Sequence, residues 1–160
     1  MRMFQLWILL VIASCAPGPQ VALPASSHAR GPRAAMVEFC KLNKGRKVGN
    51  GQCWALANES MKAAGKSRPG RHLRVWGRVV NPAHESIRSG DILEFEYAKF
   101  REPRMTVITG RHHTAVVMTP ESNGKFTVAE QNFSGDKRVS FREMSLQNQV
   151  AGKVTVYRPE

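Results

Sequence analysis

At 160 residues, with 42% hydrophobic and 22% charged residues, the chain has the composition of a globular protein and room for one cored domain behind a short leader, which excludes wholesale disorder. Its 24 Lys and Arg stand against 12 Asp and Glu, a net charge of +12 that favours acidic partners such as nucleic acid, anionic lipid or acidic wall polymers. The basic residues are scattered rather than blocked, and no RNP, KH or zinc-finger pattern accompanies them, so nucleic acid is not the expected partner.

The first residues have the form of a targeting segment. Arg2 supplies a positive start, and Phe4 to Ala13 form an apolar run too short to span a bilayer. Residues 1–14 are therefore expected to be a signal peptide. Two processing readings stand side by side: a bacterial lipobox ending at Cys15, which would be lipidated and anchor the chain to a membrane, or cleavage among the small residues near Ser26 to Ala29. Either makes the protein exported, as a periplasmic or outer-membrane lipoprotein or an extracellular protein. Residues 15–35, rich in Pro, Ala, Ser and Gly without an apolar period, are expected to form a flexible tether, with the folded domain over 36–160.

A short helix is expected over "AAMVEFCKLN", residues 34–43, then a loop. The stretch "VGNGQCWALANES" opens a second helix, with Asn50 as candidate N-cap and Gly65 as the residue that stops it. Cys53 falls in its first turn. From Leu73 onward strand signals dominate: Leu73 to Val80; Asp91 to Phe100, whose alternation predicts a strand buried on one face; an edge strand or hairpin arm around 105–109; His113 to Thr119; Lys125 to Phe133; and two closing strands. Helices first and closely spaced strands after point to α+β with an antiparallel sheet.

Three cysteines, one of them in the leader, leave Cys40 and Cys53 for the domain, and an exported chain permits a disulfide between them. The alternative for Cys53 is a nucleophile. A thiol attacks only as thiolate, and a place in the first helical turn, near the positive end of the helix dipole, lowers its pKa. It also needs an imidazole to pair with, and a polar group to orient that imidazole. His113 opens a strand on the face of Ala115 and Val117, while His112 faces the other way with Thr114 and Val116, so the two adjacent rings are badly placed to chelate one metal. No HExxH or paired CxxC is present and no cofactor is expected. Glu130 and Asn132, two residues apart, are expected on the face of Phe126 and Val128.

The ordered set "GQC" at a helix start, "SGDILEF", "HHTAVVM" and "VAEQNF" resembles the marker segments of the CHAP domain, the cysteine, histidine-dependent amidohydrolase/peptidase group related to the NlpC/P60 enzymes. The resemblance covers about residues 36–160. It implies a papain-like core with N-terminal helices packed on an antiparallel β-sheet. It also implies hydrolysis of peptidoglycan peptides, as an N-acetylmuramoyl-L-alanine amidase or an endopeptidase, and a monomer is expected. Carried onto this sequence it makes Cys53 the nucleophile, His113 the general base, Glu130 its orienting group and Asn132 a further polar member. Gln52, beside the backbone N–H of Cys53, is our own candidate for an oxyanion donor, and Asp91 is expected to serve the turn before its strand. The sequence departs from the group at Arg111-His112, where many members carry a smaller residue, and lacks a wall-binding repeat. A non-catalytic binding module on the same scaffold is the alternative.

Overall fold

A computed structural model describes residues 20–23, 31–70, 74–121 and 124–160. The expected signal peptide and Cys15 lie outside the described residues. Two helices come first, α1 (Pro32–Leu42) and α2 (Cys53–Ala63). Seven strands follow: β1 (Arg78–Val80), β2 (Ile92–Glu102), β3 (Met105–Ile108), β4 (His113–Pro120), β5 (Lys125–Glu130), β6 (Ser140–Ser145) and β7 (Gln149–Arg158). They form one sheet in the order β1-β7-β2-β4-β5-β6, with β3 paired to β2, and all pairings are antiparallel.

This corrects the expected α+β balance. The sheet is the body of the described chain, and two helices of 11 residues do not amount to a packed N-terminal helical layer. The reason lies in the chain after residue 90, where short turns join strand to strand and leave no room for helices. The first helix is also earlier than its apolar pattern suggested, because Pro32 sits at its start, where a missing N–H costs nothing. Ahead of it, Val21 donates its N–H to Asn43 Oδ1 (2.8 Å) and accepts from Asn43 Nδ2 (3.1 Å), which ties residues 20–23 to the end of α1.

The core has two parts, one on each face of the sheet. Met36, Phe39, Leu56, Met61 and Trp76 pack with Ile92, Val116 and Ala129 on the helical side. Leu93, Phe95, Phe100, Val117, Phe126, Val128 and Val156 pack on the other. Residues 92–95 are thus buried on both faces, not on one as their alternation suggested, and Glu94 is only 3% exposed. A carboxylate is tolerated there because Thr114 Oγ1 (2.8 Å) and Trp76 Nε1 (3.2 Å) donate to its Oε2. Asp91 is fully buried and structural: it accepts the Arg88 N–H at 2.8 Å and two bonds from Arg158, at 2.9 and 2.8 Å, locking β7 to the turn that opens β2.

Strand β2 is bent at Tyr97, whose φ is 48°, and its register with β7 shifts there. Opposite sits Gly152 with φ 75°, where an added Cβ would lie 2.2 Å from the Tyr97 carbonyl oxygen. Both the positive φ and the close backbone demand glycine. Gly152→Ala is expected to destabilise the fold by about 3 kcal/mol, read as a lower urea midpoint with the same slope; an unchanged midpoint would remove the bulge from the account.

Candidate active site

The site starts from the loop before α2. Gln52 is the residue that precedes the helix, with extended backbone (φ −83°, ψ 153°) and no side-chain cap bond. Asn50, the expected cap, instead accepts the Gln52 N–H at 3.0 Å and closes the loop one step earlier. At the far end the expectation holds: Gly65, at φ 71°, donates to Lys62 and Lys66 donates to Met61, a Schellman ending.

The loop is fastened by a residue the sequence reading passed over. Gln131 is fully buried, its Oε1 accepts the Val48 N–H at 2.9 Å, and its Nε2 donates to the carbonyls of Val48 (3.0 Å) and Gln52 (2.8 Å). One amide from the sheet thereby fixes where Cys53 begins its helix. The signal available was "EQN" itself, a polar triplet ending an apolar strand.

Cys53 is the first residue of α2, where the leading amides lack intrahelical partners. Its thiol lies where His113 and the Thr114 backbone and hydroxyl act on its titration. His113 is 3% exposed, flanked by the rings of Phe95 and Phe133. Its Nε2 lies 3.0 Å from Glu130 Oε2, which leaves Nδ1 for the sulfur. Glu130, 1% exposed, receives Arg142 in a two-pronged contact, Nε to Oε1 at 2.7 Å and Nη2 to Oε2 at 3.0 Å. Sheet register explains the row: Ala115 is opposite Glu130 and Val128 opposite Arg142, so His113, Glu130 and Arg142 stand diagonally on one face.

The electrostatics follow from this chain of contacts. Burial pushes the Cys53 thiol up, but the hydrogen bond and charge of His113, with the Thr114 contacts, bring it below the ordinary thiol value. Burial alone would lower His113, yet its bonds to Cys53 and Glu130 and their negative charges raise it to about 9. Burial also opposes the Glu130 charge, and the bonds from His113 and Arg142 outweigh it, holding Glu130 below the usual carboxylate range. Both shifts run in the direction of a thiolate beside an imidazolium. Cys40 is the opposite case: fully buried, its thiol is pushed up to about 12. Both cysteines are free, so the disulfide alternative for Cys53 is not what the structure holds.

One expected member sits differently. Asn132 adopts a left-handed backbone (φ 59°), which breaks the alternation from Glu130. Its Nδ2 donates to Gln52 Oε1 at 3.0 Å, so it orients Gln52 and not His113. With Oε1 so engaged, the Gln52 amide has its Nε2 as the free donating end, next to the nucleophile in sequence.

Comparison with known proteins gives the relationship. Residues 19–160 match the model of the AIM3/BBC1 cysteine proteinase-fold domain. The chain belongs to that family. Within the AIM3/BBC1 family, it is 32% identical over 144 residues to "Altered inheritance of mitochondria protein 3" of Debaryomyces hansenii, an alignment covering 78% of this chain. It spans only about 15% of the length of that relative. Among solved structures it is similar to Ly7917, with a TM-score of 0.51 at 16% identity over 79% of this chain and 62% of that one. A second structure, Ly7917 with the hydrolyzing product of MDP, gives 0.50 at 16% identity over 79% and 63%. At that identity the likeness is one of fold.

The AIM3/BBC1 assignment bears on two expectations. The cysteine proteinase fold implied by the resemblance is shown, whereas membership of the CHAP group in particular is not. The expected export as a periplasmic, outer-membrane or extracellular protein is overturned, because the relative is a yeast protein whereas the lipobox proposed at Cys15 is a bacterial signal. A short apolar start followed by a cysteine is too common a pattern to carry a compartment by itself.

Proposed function

We propose that this domain is a cysteine hydrolase that cleaves amide bonds. The observation that carries the reading is the continuous row Cys53, His113, Glu130, Arg142, in which each member stabilises the charge the next one needs. The Cys53 thiolate attacks the carbonyl carbon. The resulting oxyanion is held by the amides at the start of α2, with Gln52 Nε2, oriented by Asn132, as second donor. His113 passes its Nδ1 proton to the leaving amine and a thioester remains. A water then gives a proton to His113 and its oxygen to the thioester carbon, releasing the acid and restoring the thiolate. Glu130 keeps the ring oriented throughout and stabilises its charge whenever it holds the second proton.

Peptidoglycan peptide as substrate is supported by the resemblance of the quoted motifs alone, and enters the test as one arm. Iodoacetamide at pH 6, with modification followed on the Cys53 peptide by mass spectrometry, is expected to alkylate Cys53 about a hundredfold faster than an ordinary thiol. His113→Ala is expected to remove that advantage. Release of new amines from a panel of peptides, acyl amides and muropeptides then reports turnover, with Cys53→Ala as the blank. A Cys53 no more reactive at pH 6 than a model thiol would instead support a binding module on this scaffold.

A further inference from the structure

Beside the nucleophile, on the helical side of the sheet, lies a cleft of about 160 Å³ lined by Cys53, Trp54, Arg74, Glu94, His112 and Thr114. Its floor is unusual. Glu94 is 3% exposed, and while its Oε2 takes both Thr114 and Trp76, its Oε1 is buried without a hydrogen-bond partner among the described residues. The same holds for Nδ1 of His112, 4.0 Å from that oxygen. A buried carboxylate oxygen left short of a donor is costly, and costly polar atoms next to a reactive group ask for a ligand.

We propose that this cleft is a specificity pocket for a substrate group ending in a cationic nitrogen, an ammonium or guanidinium, and this rests on the hydrolase reading above. Two acceptors 4.0 Å apart can both sit about 2.9 Å from one nitrogen placed between them. Burial together with the charges of Arg74 and Arg111 favours the neutral ring of His112, which can then offer a lone pair. Arg74 already points its Nε at Glu94 Oε1 from 3.5 Å, so the chain's own guanidinium marks the chemistry the floor attracts. That contact is longer than a hydrogen bond and Arg74 is half-exposed, so a better-placed donor displaces it. An anionic group on the same floor meets a desolvated carboxylate oxygen, and an apolar one leaves it unpaired. Trp54 supplies the apolar wall that packs the stem of a long basic side chain.

Thiol-directed reagents test this without knowledge of the natural substrate. Methanethiosulfonates ending in an ammonium, a methyl or a sulfonate transfer their alkylthio group to the Cys53 thiolate with loss of methanesulfinate. The rate of each is followed on the Cys53 peptide. The ammonium reagent is expected to react about tenfold faster than the methyl one, as a charge-assisted bond implies. Glu94→Gln, which keeps the shape and an acceptor for Trp76 and Thr114, is expected to erase the difference. Arg74→Ala is expected to enlarge it by vacating the floor. Equal ammonium and methyl rates in the wild type, or a preference untouched by Glu94→Gln, overturn the pocket. Iodoacetamide at pH 6 separates the two ideas: an unreactive Cys53 sinks the hydrolase reading, whereas a reactive Cys53 without cation preference sinks only the pocket.

Discussion

Glu130→Gln is expected to reduce amide turnover about a thousandfold while the domain stays folded, because the substitution keeps the side chain's shape and removes the charge that holds the imidazole in place. The pH profile should change with it. His113 is raised to about 9 by Cys53 and Glu130 together, against burial that opposes its charge. The thiolate–imidazolium pair therefore exists between the lowered thiol pKa and about 9. Without the Glu130 carboxylate the upper limit drops, and the alkaline limb of both turnover and pH-dependent alkylation moves to lower pH. A stability signature accompanies this. The folded pKa of His113 lies above its ordinary 6.5, so the charged ring contributes stability that is complete below 6.5 and lost as pH rises through about 9. In Glu130→Gln that alkaline loss comes earlier. An alkaline limb identical to wild type would show that Glu130 does not govern the ring.

Much of this pairing was legible before the structure. Alternation along "HHTAVV" put His113 and His112 on opposite faces, and the structure keeps them there, one towards Glu130 and one towards Glu94. The helix stop at Gly65 was legible because a positive-φ residue after an apolar period is a local signal. What stayed hidden was what depends on register or on loop closure. Asn132 was placed by counting in twos, and the count fails as soon as the strand ends at Glu130 and the backbone turns left-handed. Gln131, to which no role was assigned, reaches 83 positions back to Val48, a partner that no local pattern contains. Glu94 looked like the solvent side of a half-buried strand. It is interior because α2 and Trp76 cover that face. The overweighting of helices has a similar origin: two strong periodic segments near the start of the chain drew attention from seven strands whose individual signals are weaker.

Arg142 belongs with the hidden group, and it carries the second large effect. Read along "VSFREMS", it is a charge on a strand near the chain's end, with nothing to separate it from the other basic residues. Register places it diagonally across from Glu130, where it supplies both prongs of a fork to a carboxylate that is 1% exposed, while its guanidinium covers the Phe133 ring at 4.7 Å. Arg142→Met is therefore expected to cost about 3 kcal/mol of stability, since removing one partner strands a buried charge. Arg142→Lys, which keeps the charge but loses the fork, should fall between the two. The pH dependence gives the sign. Glu130 is held below its ordinary 4.5 by His113 and Arg142, so its charge contributes stability that is present above 4.5 and lost as pH falls through the lowered value. Without Arg142 the depression shrinks, the contribution shrinks with it, and acid unfolding begins at higher pH. Urea melts of the three proteins from pH 3 to 8 measure this directly. If Arg142→Met tracks the wild type across that range, the Glu130 charge is satisfied by His113 alone. Arg142 is then a surface cation that happens to lie near the site.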